Sequence, residues 1–139
     1  MSSLGLTLRG DREIIRKFDR LRTRSAQRRV VNPAARAAGK PILAAARTNA
    51  PVLTGALRRS IKMRVYRRSP GVWIGPGRRA ELGIPAGDPH YYPAAVEYGH
   101  AGASGKFYIR RSFEAHKASA IRKYMAGIAA NLAAEARRK

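Results

Sequence analysis

The first apolar pattern along the chain is a strict alternation at its N-terminal end. Leu4, Leu6 and Leu8 are separated by small or polar residues, and this period of two predicts a short edge strand before the break at Gly10. From Asp11, a suitable N-cap, apolar residues recur at helical spacing and predict an amphipathic helix with a basic outer face. Its apolar side is Ile14, Ile15, Phe18 and Leu21, and its basic side is Arg12, Arg16, Lys17 and Arg20.

An alanine-rich run that reaches Asn49 predicts a second helix. Asn32 and Pro33 are residue types that favour an N-cap and a first helical position, so the helix could start there. The alternative is that the preceding valines are already helical and Pro33 is only tolerated. Because Pro41 lacks a backbone donor, we expect a kink or a restart near Gly39. The slim face expected to pack closely is Ala34, Ala35, Ala38, Ile42, Ala45 and Ala46.

After a compact element at residues 52–60, the period of two returns and predicts an antiparallel hairpin over about residues 60–75. Ile61, Met63 and Val65 alternate with polar or basic residues in the outgoing strand, and Val72, Trp73 and Ile74 form the return strand. A Ser-Pro-Gly turn at residues 69–71 joins the two strands. One face of the hairpin carries Lys62 and Arg64.

The segment after the hairpin is rich in glycine and proline, and we expect residues 76–91 to form a flexible loop that projects from the body. Residues 91–98 are compatible with a short helix or a strand, and Pro93 near the start favours the helix. Residues 99–106 predict another flexible connection. The remaining apolar residues recur about every four positions and predict a long C-terminal helix that ends in a basic tail. This stripe is Ile109, Phe113, Ala120, Tyr124, Ile128 and Leu132.

Together these elements predict a single α+β domain over residues 1–139. A small sheet contains the central hairpin and the N-terminal strand, and it packs against two N-terminal helices and the long C-terminal helix. Much of the 45% hydrophobic content is alanine, so the core should be thin. We therefore expect further burial against neighbouring subunits.

Charge changes this picture more than any other property of the composition. The chain has 29 lysines and arginines against 8 acidic residues, a formal net charge of +21. Internal pairing can neutralise only a minority of the cations, so we expect a polyanion, an acidic protein surface or salt to relieve the repulsion. The absence of cysteine excludes disulfides and thiol chemistry. Because no signal peptide or membrane-spanning stretch of about 20 apolar residues is recognisable, we expect a soluble protein.

Candidate chemistry is sparse. The glycines of residues 75–80 superficially resemble a dinucleotide-binding pattern, but further glycines and prolines follow where that motif needs a helix. The three histidines lack the spacing and the carboxylate neighbours of a metal site, so we expect neither a metal nor a cofactor. Glu97, flanked by Val96 and Tyr98, could be a partly buried carboxylate of a catalytic kind. Since no second carboxylate lies nearby, a salt bridge with an arginine, within the subunit or across an interface, is the favoured interpretation.

Nucleic-acid binding of a specific kind is not indicated, because the aromatic residues do not form a recognisable stacking module. Cations are instead spread over every predicted element, which favours non-specific contact with phosphate. The residues expected to face DNA or a partner are Arg12, Arg16, Lys17, Arg20, Lys62, Arg64, Arg78 and Arg79.

Four ordered segments resemble the phage tail-component family typified by gene product ten of the lambda-like phage HK-ninety-seven. Residues 50–61, APVLTGALRRSI, resemble its first motif, and residues 72–75, VWIG, resemble a strand of the family. Residues 92–99, YPAAVEYG, resemble its middle motif, and residues 109–114 resemble the start of its last helix. The residues that match the family motifs are Pro51, Thr54, Gly55, Leu57, Arg58, Ser60, Ile61, Tyr92, Glu97, Gly99 and Arg110. From the residues alone, Pro51 should end a helix, Thr54 cap the next turn and Gly55 permit a bend.

This resemblance implies a non-enzymatic structural protein of a tailed bacteriophage. It would be a neck or tail-completion subunit, of head–tail joining or tail-terminator type, that forms a ring, often sixfold, around the DNA channel. The implied partners are further copies of the chain, neighbouring connector or tail-tube proteins and packaged DNA, with no membrane and no small-molecule substrate. The implied location is the virion, after assembly in the host cytoplasm. The alternative is a stand-alone basic nucleic-acid-binding protein, which the charge alone would equally support.

Overall fold

The structure, a computed structural model, describes residues 23–138. The strand predicted at residues 4–8 and the amphipathic helix predicted from Asp11 lie outside the described residues. The helices are α1 (Arg24–Asn49), α2 (Ala56–Ser60), α3 (Tyr92–Tyr98) and α4 (Tyr108–Ala136), and Arg79–Leu82 form a 3-10 helix. The strands are β1 (Lys62–Val65), β2 (Val72–Gly75), β3 (Gly99–His100) and β4 (Ala103–Ser104). The predicted α+β class is confirmed.

The predicted central hairpin is present as β1 and β2, which form a two-stranded antiparallel sheet. Its turn is closed by a hydrogen bond of 3.2 Å from the amide of Tyr66 to the carbonyl of Gly71. A second antiparallel pair, β3 and β4, places Gly99 opposite Ser104 and His100 opposite Ala103. The described strands therefore belong to two separate sheets.

Helix α1 corrects two predictions about the alanine-rich run. It begins at Arg24, where the Thr23 hydroxyl accepts a hydrogen bond from the amide of Ala26. The alternative in which the valines before Pro33 are already helical is therefore correct, and the start at Asn32 is wrong. The helix continues without interruption through Pro33 and Pro41, so the expected restart is wrong too. The buried alanines and Ile42 recur on one face of the helix on both sides of each proline. The stabilisation from packing this face outweighs the cost of the backbone hydrogen bonds that the two prolines cannot donate.

The chain divides into two compact units, and both long helices contribute residues to each. Within the described residues, unit 1 comprises residues 23–40, 63–73 and 118–138, and its core joins α1 to the C-terminal part of α4. Gly127 permits this contact, because a Cβ there would lie 2.9 Å from the Cβ of Ala34. The core residues are Val30, Val31, Ala34, Ala35 and Ile128, with Val72, Tyr124 and Leu132 against them.

Unit 2 comprises residues 41–62 and 74–117. Its core joins the end of α1 to α2, the segment after β2 and the start of α4. The buried members are Ala46, Ala50, Leu57, Ile61, Leu82, Ile84, Tyr108 and Ile109, with Leu43, Tyr91 and Val96 packed against them. This unit holds the first and middle family motifs, residues 50–61 and 92–99, and the start of the last helix at residues 109–114.

The segment at residues 76–91 is not the projecting loop that was expected. Its 3-10 helix ends at Gly83, which has φ of +68°, and the amide of Ile84 donates to the carbonyl of Arg79. Leu82 and Ile84 are buried in the core of unit 2. Two apolar side chains among glycines and prolines are enough to fold the segment back, although they have no periodicity.

The remaining predictions concern the C-terminal part of the chain. Residues 92–98 are helical, with Pro93 in the first turn. The helix is therefore the correct one of the two alternatives. The long C-terminal helix is confirmed as α4, and its predicted stripe is buried or half-buried along its length. None of the helices described between residues 23 and 138 combines the length and the apolar character needed to cross a membrane.

Candidate functional site

The first motif, residues 50–61, forms the bend from α1 into α2. Gly55 has φ of +78°, a left-handed conformation that glycine adopts without strain, and it is the N-cap of α2. Thr54 precedes this N-cap position, and its hydroxyl accepts a hydrogen bond of 3.3 Å from the amide of Ala56, the first residue of the turn that it was expected to cap. Leu57 and Ile61 then enter the core of unit 2. The motif residues are used to turn the chain and anchor it.

Arg58 of this motif has an internal role that the sequence did not suggest. Its guanidinium donates to the carbonyls of Thr48 and Ala50, at 3.3 Å each, where α1 ends. The last carbonyls of a helix lack intrahelical donors and carry partial negative charge, so an arginine there stabilises the helix end. Arg47 similarly donates to the carbonyl of Ile61 at 2.9 Å. Both cations fasten the bend.

Ser60 connects α2 to the chain after β2. It is buried, its hydroxyl donates to the carbonyl of Leu57 at 2.8 Å, and the same oxygen accepts from the amide of Gly77 at 3.1 Å. A Cβ at Gly77 would lie 2.8 Å from the Cβ of Ser60, so the contact requires glycine. The glycine-rich segment thus serves close packing, and the 3-10 helix that follows is not the helix of a nucleotide-binding motif.

Glu97 lies at the centre of the middle motif and caps the last helix. The residue is only 3% exposed. One carboxylate oxygen accepts from the amide of Ile109 and the other from the amide of Arg110, each at 3.0 Å. The expected intramolecular salt bridge with an arginine is therefore wrong, because the partners are two backbone donors at the N-terminus of α4. A negative charge at a helix N-terminus is a stabilising arrangement that needs no catalytic role.

The backbone around Glu97 is bonded to the same region. The carbonyl of Glu97 accepts from the amide of Phe107 at 3.0 Å, and the carbonyl of Val96 accepts from the amide of Lys106 at 2.8 Å. Gly99 has φ of +86°, and a Cβ at Gly105 would lie 2.5 Å from the carbonyl oxygen of Glu97. The motif glycine at 99 and the unpredicted Gly105 both allow this close approach.

A buried polar network continues from this point into the start of α4. The Asn49 amide donates to the Ser112 hydroxyl at 2.9 Å, and that hydroxyl donates to the carbonyl of Tyr108 at 2.5 Å. Burial, and next the negative charge of Glu97, raise the pKa of Tyr108 above its ordinary value of 10.0. Burial also raises the pKa of the motif residue Tyr92, which lies nearer the surface. Sequence patterns could not reveal this network, since its members are far apart in the chain.

The predicted DNA-facing or partner-facing cations have different environments. Arg12, Arg16, Lys17 and Arg20 lie outside the described residues. Lys62 pairs with Glu81 at 2.7 Å, and Arg64 lies 5.4 Å from the centre of the Trp73 ring. Arg79 donates to the carbonyls of Asp88 and His90 and lies over the Tyr91 ring. Arg78 is exposed, as is the side chain of the motif residue Arg110.

No built catalytic or metal site accompanies these residues in the part of the chain that the structure describes. The buried polar side chains between residues 23 and 138 are Ser60, Glu97 and Ser112, and each has the hydrogen bonds given above. Within the same range, no three His, Asp or Glu side chains converge as metal ligands would. The lysine–glutamate pair beside α2 borders a shallow cavity of about 280 Å³ that is also lined by Arg59.

Comparison with known proteins identifies the family of the chain. The model of the family described as "Bacteriophage HK97-gp10, putative tail-component" matches residues 12–99, more than half of the chain. The chain belongs to this phage tail-component family. No curated protein matches it, and no solved structure does.

The first and middle motifs of this phage tail-component chain lie in the matched range. The bend at residues 50–61 and the Glu97 segment fall within residues 12–99, whereas residues 109–114 follow it. The two groups are nevertheless joined, because the Glu97 carboxylate accepts its hydrogen bonds from Ile109 and Arg110. In this member of the family, the middle motif thus holds the start of the last helix.

Proposed function

We propose that this phage tail-component protein is a non-enzymatic structural subunit of the neck or tail end, of tail-completion, head–tail joining or tail-terminator type. The observation that carries the proposal is the family match over residues 12–99. The local chemistry of the motifs supports it, because Gly55, Arg58, Ser60 and Glu97 all serve to bend, fasten or cap backbone. No cofactor and no small-molecule substrate are part of the proposal.

We further propose that the subunit assembles into a homo-oligomeric ring, with a hexamer as the expected form. Its alanine-rich core buries little apolar area per residue, and unit 2 leaves large apolar side chains in solvent. Leu53 is 97% exposed and Val52 56% exposed in the bend, and Tyr98 is 51% exposed at the end of α3. A ring subunit contacts its two neighbours through two unlike surfaces, and these two apolar segments are suitable contributors.

In the particle, the ring would contact the connector or tail-tube proteins and surround the DNA channel, after assembly in the host cytoplasm. The +21 charge is compatible with passing DNA that is held by no specific contact. The same charge supports the second candidate, a stand-alone nucleic-acid-binding protein. That candidate predicts that the isolated subunit binds DNA or RNA more tightly than other proteins of similar basicity do.

Electron microscopy of purified particles with a subunit-specific label tests the location. A label at the neck or tail end is expected, and a particle that carries no label there would end the proposal. Native mass spectrometry of the assembled protein tests the ring, because a closed ring gives one mass at an integer multiple of the 15.3 kDa subunit. A broad ladder of masses would contradict ring closure.

A further inference from the structure

The basic residues of this chain are segregated from its acidic ones. Residues 20–80 contain sixteen lysines and arginines and no aspartate or glutamate. The acids of the described part, all at position 81 or later, already have partners within the subunit. These pairs are Glu81 with Lys62, Asp88 with His90, Glu97 with two helix amides, Glu114 with Lys117 and Glu135 with Arg29. The described part of a second copy therefore has few unpaired carboxylates to offer to these cations.

Within this acid-free stretch, the turn between β1 and β2 presents two adjacent arginines. Arg67 and Arg68 are exposed. Neither side chain makes a hydrogen bond or an ion pair in the described residues, in contrast to Lys62 and Arg79. The arginines at the turn are thus available to an external anion.

The turn that carries them is fastened by side chains of α1 at both of its ends. The guanidinium of Arg28 donates to the carbonyl of Tyr66 at 2.6 Å and also to the carbonyl of Arg67. The side-chain oxygen of Asn32 accepts from the amide of Gly71 at 2.9 Å. The backbone of a turn held in this way loses little conformational freedom on binding, so the positions from which the two arginines extend are fixed in advance.

The composition of the turn favours phosphate over a protein surface. Protein interfaces usually have an apolar or aromatic centre, and the large exposed apolar side chains of the described residues lie elsewhere, such as Leu53, Tyr98 and Ile121. The arginines lie between the half-buried Tyr66 and Ser69, which is exposed like them and is followed by Pro70. Guanidinium groups form paired hydrogen bonds with phosphate oxygens.

We propose that Arg67 and Arg68, presented by the β1–β2 turn, bind backbone phosphates of double-stranded DNA. The choice of DNA rests on the proposed function, because a ring at the neck or tail end surrounds the DNA channel. The binding is independent of base sequence, since the turn offers only phosphate contacts.

The test compares two double variants of the full chain by fluorescence anisotropy with a labelled DNA duplex over a salt series. Arg67→Gln with Arg68→Gln should make the slope of log affinity against log salt shallower by about 1.8, about 0.9 for each lost phosphate contact. Arg122→Gln with Lys123→Gln removes the same charge from exposed residues of α4 that likewise have no described partner. An equal change in both double variants would overturn the proposal, because it would show diffuse charge attraction.

Two further measurements separate the alternatives. Thermal unfolding should be the same for both double variants, because neither removes an internal contact. Polyglutamate should bind more weakly than DNA, and its affinity should differ little between the two double variants. If the variants differ as much in their affinity for polyglutamate as for DNA, the turn binds an acidic protein partner instead. The label in the particle does not depend on these arginines. A labelled neck with an unchanged salt slope would overturn the DNA site alone, whereas a shallower slope without any label would overturn the proposed function alone.

Discussion

Replacing Glu97 with glutamine should destabilise the protein by removing the cap of its longest helix. Glu97 is 3% exposed, and its two carboxylate oxygens accept from two helix amides. An amide group has one acceptor oxygen, so one backbone donor is left buried without a partner. A lost hydrogen bond to a charged group contributes about 1.5–3 kcal/mol, and the lost interaction with the helix dipole about 0.3–1 kcal/mol. We expect the free energy of unfolding to fall by about 2–4 kcal/mol.

Urea unfolding followed by circular dichroism measures this change, and thermal unfolding should show a Tm lower by about 10 °C. Glu114→Gln is the matched control, because Glu114 lies on the same helix but is exposed and pairs only with Lys117. No measurable change is expected for the control. Equal stability of the two variants would refute the capping role. An E97Q protein of full stability that had lost an activity would instead support a catalytic carboxylate.

Two other substitutions examine the packing, and a third examines the ionisation of a buried tyrosine. Gly127→Val should lower the free energy of unfolding by about 1–3 kcal/mol through overpacking, and Ala126→Val, at an exposed neighbouring position, should cost under about 1 kcal/mol in the same urea assay. Gly105→Ala should lower Tm because its Cβ would meet backbone at 2.5 Å, while Gly87→Ala, with open space, should not. The raised pKa of Tyr108 means that the folded protein retains a proton that the unfolded chain releases. Stability should therefore be full below about pH 10 and fall above it, and Tyr108→Phe should reduce that fall in urea titrations.

The elements with strong local signals could be predicted from the sequence. The hairpin has alternating apolar residues on both sides of a Ser-Pro-Gly turn, and α4 has a stripe of apolar residues over many turns. These patterns reflect which side of an element is buried, and burial decides secondary structure in such segments. The short helix α3 was foreseen as one of two alternatives, because Pro93 suits a first turn.

The errors arose where tertiary contacts outweigh local preference. Pro33 and Pro41 disfavour a continuous helix locally, but the buried face of α1 extends past both. Leu82 and Ile84 fold the glycine-rich segment into the core without any periodicity that a sequence pattern could show. Such contacts depend on partners that are distant in the chain.

The same distinction between local signals and distant contacts applies to the candidate site. The motif positions were identified, but their physical roles were not, because Glu97 and Arg58 act on backbone groups that sequence patterns cannot locate. Lys62 and Arg79, which were expected to face DNA or a partner, each have an internal partner that the sequence pattern did not show. The sequence could not single out Arg67 and Arg68, because a charge pattern does not show which arginines have no internal hydrogen bond or ion pair.

A density map of the neck and tail end of the purified particle, obtained by electron cryomicroscopy, tests the central claim most directly. The proposed function predicts a closed ring into which residues 23–138 fit, with the β1–β2 turn directed at the DNA channel. A map that accounts for every density at the neck and tail end with other proteins, and has none that fits this chain, would contradict it.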